Sequence, residues 1–437
     1  MRRLLDRGIG LFVRLLAHLF HRQLEFDGLD ELRRPGPRLV VVNHFNGFMD
    51  VVLVTAALGR LPRFVGKATL ANVVVARPFL RLAGVVLVHR RVDGTGTDEN
   101  ERAFEQCDRR LASGDCVVIF PEGTTHDREA LAEIRTGAAR IALSAQRQGA
   151  RDLRVIPVGL TYGDKTRLRN RALVVVGGPL PIPETVGGDD DRAAVRALTT
   201  DITTGIDELV PGVDDPLRAW AHERAAATHA SVRGIPHDLR SVLATARRTL
   251  DSDPVFATGV ERSVADYVLA LDLAGVADIA VGRGDRGIAR RAVALAAITW
   301  IAMPVIAASI VANAPAIGLI AMVDLFVDVP VTKGTVRALV GLIALPTTWI
   351  VVAALAVDGA GWVALAAIGN ALALVLTLWI VERDIDLVRR LVARHRALQA
   401  AGRLPELSIL QTAGADAVDR AAIGAGVVAG GVQAVDG

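Results

Sequence analysis

Cysteine, aromatic residues and lysine are scarce in this 437-residue chain. The two cysteines, Cys107 and Cys116, are too few for a disulfide framework and lack zinc-ligand spacing, which points to a reducing compartment. Aromatics at 4% leave few platforms for stacking bases, and 50 Lys+Arg against 47 Asp+Glu give a net charge of only +3. A dedicated nucleic-acid binder is thereby excluded. No G-x-S-x-G elbow occurs, which removes the usual serine hydrolase. The only lysines are Lys67, Lys165 and Lys333; the first two end expected strands, where they could make point-charge contacts to an anion.

Hydrophobic residues are abundant, at 51% of the chain. The excess lies between Ala292 and Val381, where Ala292–Ala312, Ala338–Val357 and Gly361–Val381 are each long enough to span a bilayer. Asn313-Ala314-Pro315 reads as a turn, and the apolar run after it ends at Asp324 and Asp328. Arg290 and Arg291 precede the first span, Lys333 and Arg337 the second, and Arg383, Arg389, Arg390, Arg394 and Arg396 follow the last. These clusters share one side only if Pro315–Val329 returns across or re-enters the membrane, so the expectation is four crossings, or two hairpins, with both termini cytoplasmic.

At the N-terminus, Arg7, Arg14 and His18 interrupt the apolar residues and no small-residue cleavage site follows, so a retained helix is expected. Its Arg3, Arg7, Arg14 and His18 fall opposite Leu5, Ile9, Phe12 and Leu16, as in a helix lying at a bilayer surface; the alternative is an amphipathic helix packed on the domain.

From Arg38 to about Pro183, β-rich runs (LVVV, RFVGK, GVVLVHR, CVVIF, LRVIPVGLTY and ALVVVGG) alternate with helical stretches at Thr69–Ala83, Thr97–Ser113 and Thr136–Gln148. This predicts an α/β domain with a largely parallel sheet flanked by helices. The expected organisation is a membrane-interface segment at 1–34, the α/β domain at 35–186, a helical connector at 187–288, a transmembrane helical region at 289–381, and a basic helix with a disordered tail at 382–437.

Two runs carry chemistry. In VVNHFNGFMD, His44 can take a hydroxyl proton near neutral pH and Asp50 can fix its tautomer. Six positions on a helix are about 240° of rotation, so the two can meet only if one lies off the helix. His44 is therefore expected on a strand-to-helix loop and Asp50 in the first turns of the helix, with Asn43, Asn46 and Gly47 as loop residues. The bland reading is a loop histidine beside a helix-start aspartate. In IFPEGTTHD, Pro121, Glu122, Gly123 and Thr124 fall at the carboxyl end of a strand, where open α/β sheets place ligands. Glu122 could accept hydrogen bonds from an acceptor's hydroxyls or hold a basic neighbour, and Gly123 allows close backbone approach; a plain strand-ending turn is the competing explanation. Arg90 ends another strand, where a guanidinium can clamp a phosphate or simply form a surface ion pair. Thr136 is a candidate N-cap.

NHFNGFMD, GVVLVHR, FPEGTTHD and VIPVGLTY follow the order and approximate spacing of the four motif blocks of the phospholipid/glycerol acyltransferase family, which residues 25 to 185 resemble. The flanking pieces VGKATL, RTGAARIAL and YGDKTRLRN are similar too. The resemblance implies His44 as general base, Asp50 as its orienter, and Asn46, Arg90, Glu122, Gly123, Thr124 and Lys165 around the acceptor. Five residues rather than the usual four separate His from Asp, and Thr125 stands where Arg or Ser is common. That spacing, with Asn46 and the His126-Asp127 pair, resembles the glycerol-3-phosphate / dihydroxyacetone-phosphate acyltransferase branch.

The resemblance implies an integral-membrane O-acyltransferase of phospholipid synthesis, its catalytic domain on the cytoplasmic face. It would move a fatty acyl group from acyl-CoA or acyl carrier protein to glycerol 3-phosphate or dihydroxyacetone phosphate, with no cofactor or metal. A lysophosphatidate sn-2 acyltransferase is the nearest alternative; a non-catalytic membrane scaffold or transporter is a more distant one.

Overall fold

A computed structural model of the chain describes residues 2–68, 84–88, 97–126, 130–163, 169–183, 189–210, 216–235, 238–274, 288–399, 402 and 404–424. They divide into two units, Met1–Gly212 with Ala316–Ala344, and Val213–Pro315 with Leu345–Gly437.

The first unit is built on a sheet of β1 (His21–Asp27), β2 (Arg38–Val42), β3 (Arg63–Lys67), β4 (Val86–Val88), β5 (Cys116–Ile119), β6 (Arg154–Tyr162) and β7 (Asn170–Val176). Their order is β1-β7-β6-β2-β5-β3-β4, and every neighbouring pair is parallel except β6 and β7. The sheet is thus mixed and mostly parallel, as expected from the alternation of apolar runs. β2 lies between β5 and β6 with all five residues buried, which is why RLVVV is apolar without alternation. β1 was not foreseen. Its sequence, HRQLEFD, is polar enough for an edge position, and β7 alone pairs with it.

Helices α1 (Arg2–Phe20), α2 (Leu29–Arg33), α3 (Phe48–Leu58), α4 (Thr97–Ala112), α5 (Gly137–Arg147) and α6 (Asp189–Asp207) cover the sheet. Leu39, Val41, Val117, Ile119 and Val155 share one core with Leu111, Ile141, Leu198 and Ile202 of α4, α5 and α6. Each such side chain contributes about 1.5–3 kcal/mol on burial. α6 therefore belongs to the α/β unit and not to a connector: the expected boundary at 187 cuts through its core. Thr136 occupies the N-cap position of α5, but its side chain makes no capping hydrogen bond.

α1 packs on α3. Leu16, Ala17 and Phe20 are buried, and Gly10 sits so close to the chain at Gly59 that a Cβ there would lie 2.4 Å from the Gly59 carbonyl carbon. The C-terminal end of the apolar stripe is thus packed on the domain, as in the alternative reading of this helix.

In the second unit, α7 (Pro216–Arg233), α8 (Leu239–Leu250), α9 (Pro254–Ala274) and α13 (Leu404–Gly424) pack together, α7, α9 and α13 through Ala225, Val260, Val264 and Val418, and α8 on α7 through Val242, Ala246 and Ala226. Part of the expected C-terminal tail is thus a packed helix. Between α9 and α13 run α10 (Ile288–Phe326), α11 (Pro330–Ala356) and α12 (Ala360–Gln399). Among the described residues, Ala292–Val323, Thr332–Ala356 and Ala360–Ala393 are long and apolar enough to cross a membrane, which marks the chain as membrane-associated.

The expected turn at Asn313-Ala314-Pro315 does not form, because α10 continues through both Pro304 and Pro315. In an apolar medium, continuing the helix is the least costly way to satisfy main-chain polar groups. The Asn313 side chain is also committed locally: its amide donates to Ser309 O at 2.9 Å and to Asn370 Oδ1 at 3.0 Å, and its Oδ1 accepts from Trp349 Nε1 at 2.9 Å. Among the described residues, three long apolar helices stand where four crossings, or two hairpins, were expected.

Candidate active site

Because β2, β3, β5 and β6 run parallel, their carboxyl ends share one edge of the sheet. His44 follows β2, Lys67 ends β3, Phe120 and Glu122 follow β5, and Tyr162 ends β6. Asn43 fixes the first of these loops. Its amide donates to Leu160 O at 2.9 Å and its Oδ1 accepts from Leu160 N at 2.7 Å, so a fully buried side chain continues the ladder where β2 stops.

His44 then leaves the strand and Asp50 arrives as the third residue of α3, after Gly47 at φ 56° has turned the chain. His44 Nδ1 lies 2.8 Å from Asp50 Oδ2. The carboxylate is completely buried and accepts two further hydrogen bonds, from Asn46 N at 2.9 Å to Oδ2 and from the Tyr162 hydroxyl at 2.5 Å to Oδ1. Burial, and then the charge of Asp50, pushes the Tyr162 hydroxyl well above its ordinary range, so it stays a neutral donor. With Nδ1 facing Asp50, Nε2 is the nitrogen left to work. The imidazole stacks on Phe120 at 4.2 Å between centroids, 19° from parallel, which fixes the ring plane.

Glu122 lies beneath this loop, its side chain fully buried. Its Oε1 accepts the main-chain N–H of His44 at 2.6 Å; its Oε2 accepts that of Ala132 at 2.9 Å and meets His126 Nε2. Glu122 thus holds the backbone of two loops and, through Oε2, a basic neighbour, His126.

His44 lines a cavity of about 650 Å³ whose lining residues are mostly apolar, many of them from α1, α3 and β3, with Thr55, Lys67, Thr125, Arg135 and Thr335 as polar exceptions. That volume is in the usual range for ligand pockets. Gly123, at φ 64°, also lines it, but its N–H already donates to Phe120 O at 3.0 Å. Asn46 and Thr124 are not part of the cavity wall; Asn46 is buried and Thr124 exposed. Arg90 and Lys165 lie outside the described residues.

Tyr162 completes the site without having been singled out; His126, noted only as part of the His126-Asp127 pair, meets Glu122, and Phe120, in the same run, stacks on His44. A signal existed for Tyr162. Strand alternation puts it on the face of Leu160, at the carboxyl end shared with β2.

Residues 23–161 match the Acyltransferase family. The chain is similar to Glycerol-3-phosphate O-acyltransferase 1 of Saccharomyces cerevisiae, 31% identical over 26% of this chain and 15% of that protein. Glycerol-3-phosphate O-acyltransferase 2 of the same organism is 28% identical over 41% of this chain and 25% of its own length. Lyso-ornithine lipid O-acyltransferase of Brucella abortus is 30% identical over 38% of this chain and 57% of that protein. The chain therefore spans only a part of each of these relatives. The histidine and aspartate paired at the carboxyl edge of the sheet thus lie within the segment, residues 23 to 161, that matches the Acyltransferase family.

Proposed function

We propose that this chain is a membrane-bound O-acyltransferase of glycerolipid synthesis that acylates glycerol 3-phosphate or dihydroxyacetone phosphate, using acyl-CoA or acyl carrier protein as donor. The observation that carries the reading is the His44–Asp50 pair opening onto a large apolar cavity. His44 Nε2 takes the proton of the acceptor hydroxyl as its oxygen attacks the thioester carbonyl; Asp50 stabilises the imidazolium. The resulting tetrahedral oxyanion expels the thiolate, which receives the proton back from His44. The new ester bond thus replaces the thioester with no proton gained or lost.

The Gly123 amide is already engaged, so the amide of Thr125, on the cavity wall, is the better oxyanion donor. The apolar cavity suits the acyl chain, and Lys67 and Arg135 put positive charge on its wall, as a phosphorylated acceptor requires. Arg90 and Lys165 are assigned to the same phosphate on the motif resemblance alone. The unpaired, buried Cys107 and Cys116 favour the cytoplasmic face for this domain.

A purified-protein assay crossing the two donors with glycerol 3-phosphate, dihydroxyacetone phosphate and lysophosphatidate tests the reading. Transfer to either of the first two acceptors is expected. Transfer to lysophosphatidate alone would replace the acceptor with that of an sn-2 acyltransferase, and no transfer to any acceptor would end the enzymatic reading.

A further inference from the structure

The segment Gly334–Leu342 of α11 lies outside residues 23–161 and outside every motif above, yet it touches the site in three ways. First, Thr335 Oγ1 accepts a hydrogen bond from the N–H of Phe48 at 3.1 Å. Phe48 opens α3, whose N-cap residue is Gly47 and so has no side chain to offer. One of the orphan donors at that helix start is thus satisfied by a residue 287 positions away. Asp50 sits in the same first turn.

Second, Gly334 lies against Asn46, where a Cβ would come within 2.2 Å of Asn46 Oδ1, and Gly341 lies against Phe20, where it would come within 2.4 Å of the ring. Asn46 is the residue whose N–H holds Asp50. Only glycine lets the helix approach this closely. Third, Thr335, Leu339 and Leu342 line the cavity together with His44. Their i, i+4, i+7 spacing puts all three on one face of the helix.

We propose, on the basis of the acyltransferase reading, that Gly334–Leu342 is a built-in part of the catalytic site: Thr335 is a positioning residue for the helix that carries Asp50, and Leu339 and Leu342 form a wall that selects the acyl chain. The apolar C-terminal region then does more than hold the α/β unit at a membrane.

The test uses the full-length protein in lipid nanodiscs. Thr335→Val keeps the side-chain shape and removes the acceptor oxygen; kcat is expected to fall about fivefold, the size of a lost cap, with the donor KM unchanged. Thr335→Ser restores it. Amide exchange at Phe48 is expected to quicken in Thr335→Val and not in Thr335→Ser. Leu342→Trp is expected to lower the ratio of palmitoyl to octanoyl transfer by about tenfold, the equivalent of excluding two methylenes. Ile343→Trp, on the neighbouring exposed position, leaves that ratio as it was.

Unchanged kcat and unchanged Phe48 exchange in Thr335→Val would overturn the positioning role, and an unchanged chain-length ratio in Leu342→Trp would overturn the wall. If the wild type transfers no acyl group at all, the enzymatic reading and the acyl wall fail together. The Phe48 exchange then still decides the cap.

Discussion

Each of the two units contains histidine–carboxylate contacts of similar length, and they differ in what the second ring nitrogen can reach. In the first unit, His44 meets a buried Asp50 held by two further donors, and its other nitrogen remains for a cavity. In the second, His222 is fully buried, with Nδ1 2.8 Å from Thr249 Oγ1 and Nε2 3.3 Å from Glu261 Oε1, so both nitrogens are occupied. His229 reaches Asp419 at 2.8 Å, but that carboxylate is half exposed and also binds Arg233. A short His–Asp distance therefore does not define a site. What defines it is a carboxylate that cannot leave and a nitrogen with somewhere to act.

The sharpest way to break this comparison is to remove each histidine in turn. His44→Ala is expected to lower kcat/KM by about 10³–10⁴-fold in the acyl-transfer assay. His229→Ala is expected to leave it within about twofold, and His222→Ala to cost about 1–3 kcal/mol of stability in denaturant titration by deleting a buried ring that bonds both Thr249 and Glu261. A large loss of turnover in a folded His229→Ala protein would contradict the distinction drawn between the two units.

Asp50→Asn comes next. The amide can still lie beside His44 but no longer stabilises an imidazolium and can select the wrong tautomer, so a loss of about 10²–10³-fold in kcat is expected, with little change in KM. Wild-type kcat in that variant would remove Asp50 from the mechanism.

A fourth histidine shows the effect of burial without a working role. His21 is buried against Asn170, and burial pulls its pKa down to about 4. The unfolded chain therefore binds a proton near pH 6.5 that the folded chain refuses. Stability is full above that value and declines as the pH falls towards about 4, by about 2 kcal/mol between pH 7 and pH 5. His222 is shifted in the same direction, again chiefly by burial, and adds to the trend. In urea unfolding, His21→Gln should reduce the slope of stability against pH; an identical slope would show that the buried ring titrates normally.

A smaller loss of turnover than in Asp50→Asn is expected for Tyr162→Phe, which deletes one of the donors to Asp50 and leaves the carboxylate under-satisfied. About a tenfold decrease in kcat is expected, since a hydrogen bond to a charged group contributes about 1.5–3 kcal/mol and water can replace part of it. Full activity in Tyr162→Phe would mean that Asn46 and His44 suffice to hold the aspartate.

Much of the fold was legible because it rests on local rules. Apolar runs such as LVVV and CVVIF became strands, and the six-residue offset between His44 and Asp50 correctly required a loop before a helix. Local rules also misled where the medium overrode them. Asn313-Ala314-Pro315 carries turn chemistry, but a continuous helix keeps its main-chain groups satisfied and the turn gave way. The stripe on α1 has the pattern of a surface helix, yet a stripe states only that one face must be covered, not by what. The part played by Glu122 was hidden for a similar reason: its sequence position marks it as important without saying whether it faces a ligand or the backbone below.

By itself, the sequence determined the alternation that builds the sheet, the loop that separates His44 from its helix, and the apolar length of the C-terminal helices. These follow from periodicity, turn residues and composition, which act over a few neighbouring positions. Only the tertiary structure decided that Tyr162 shares Asp50, that Glu122 holds the catalytic loop from beneath, and that Thr335 caps a helix 287 residues earlier in the chain. Those contacts depend on strand order and on how closely helices can pack, and no local pattern encodes which distant residue arrives at an open hydrogen-bonding position.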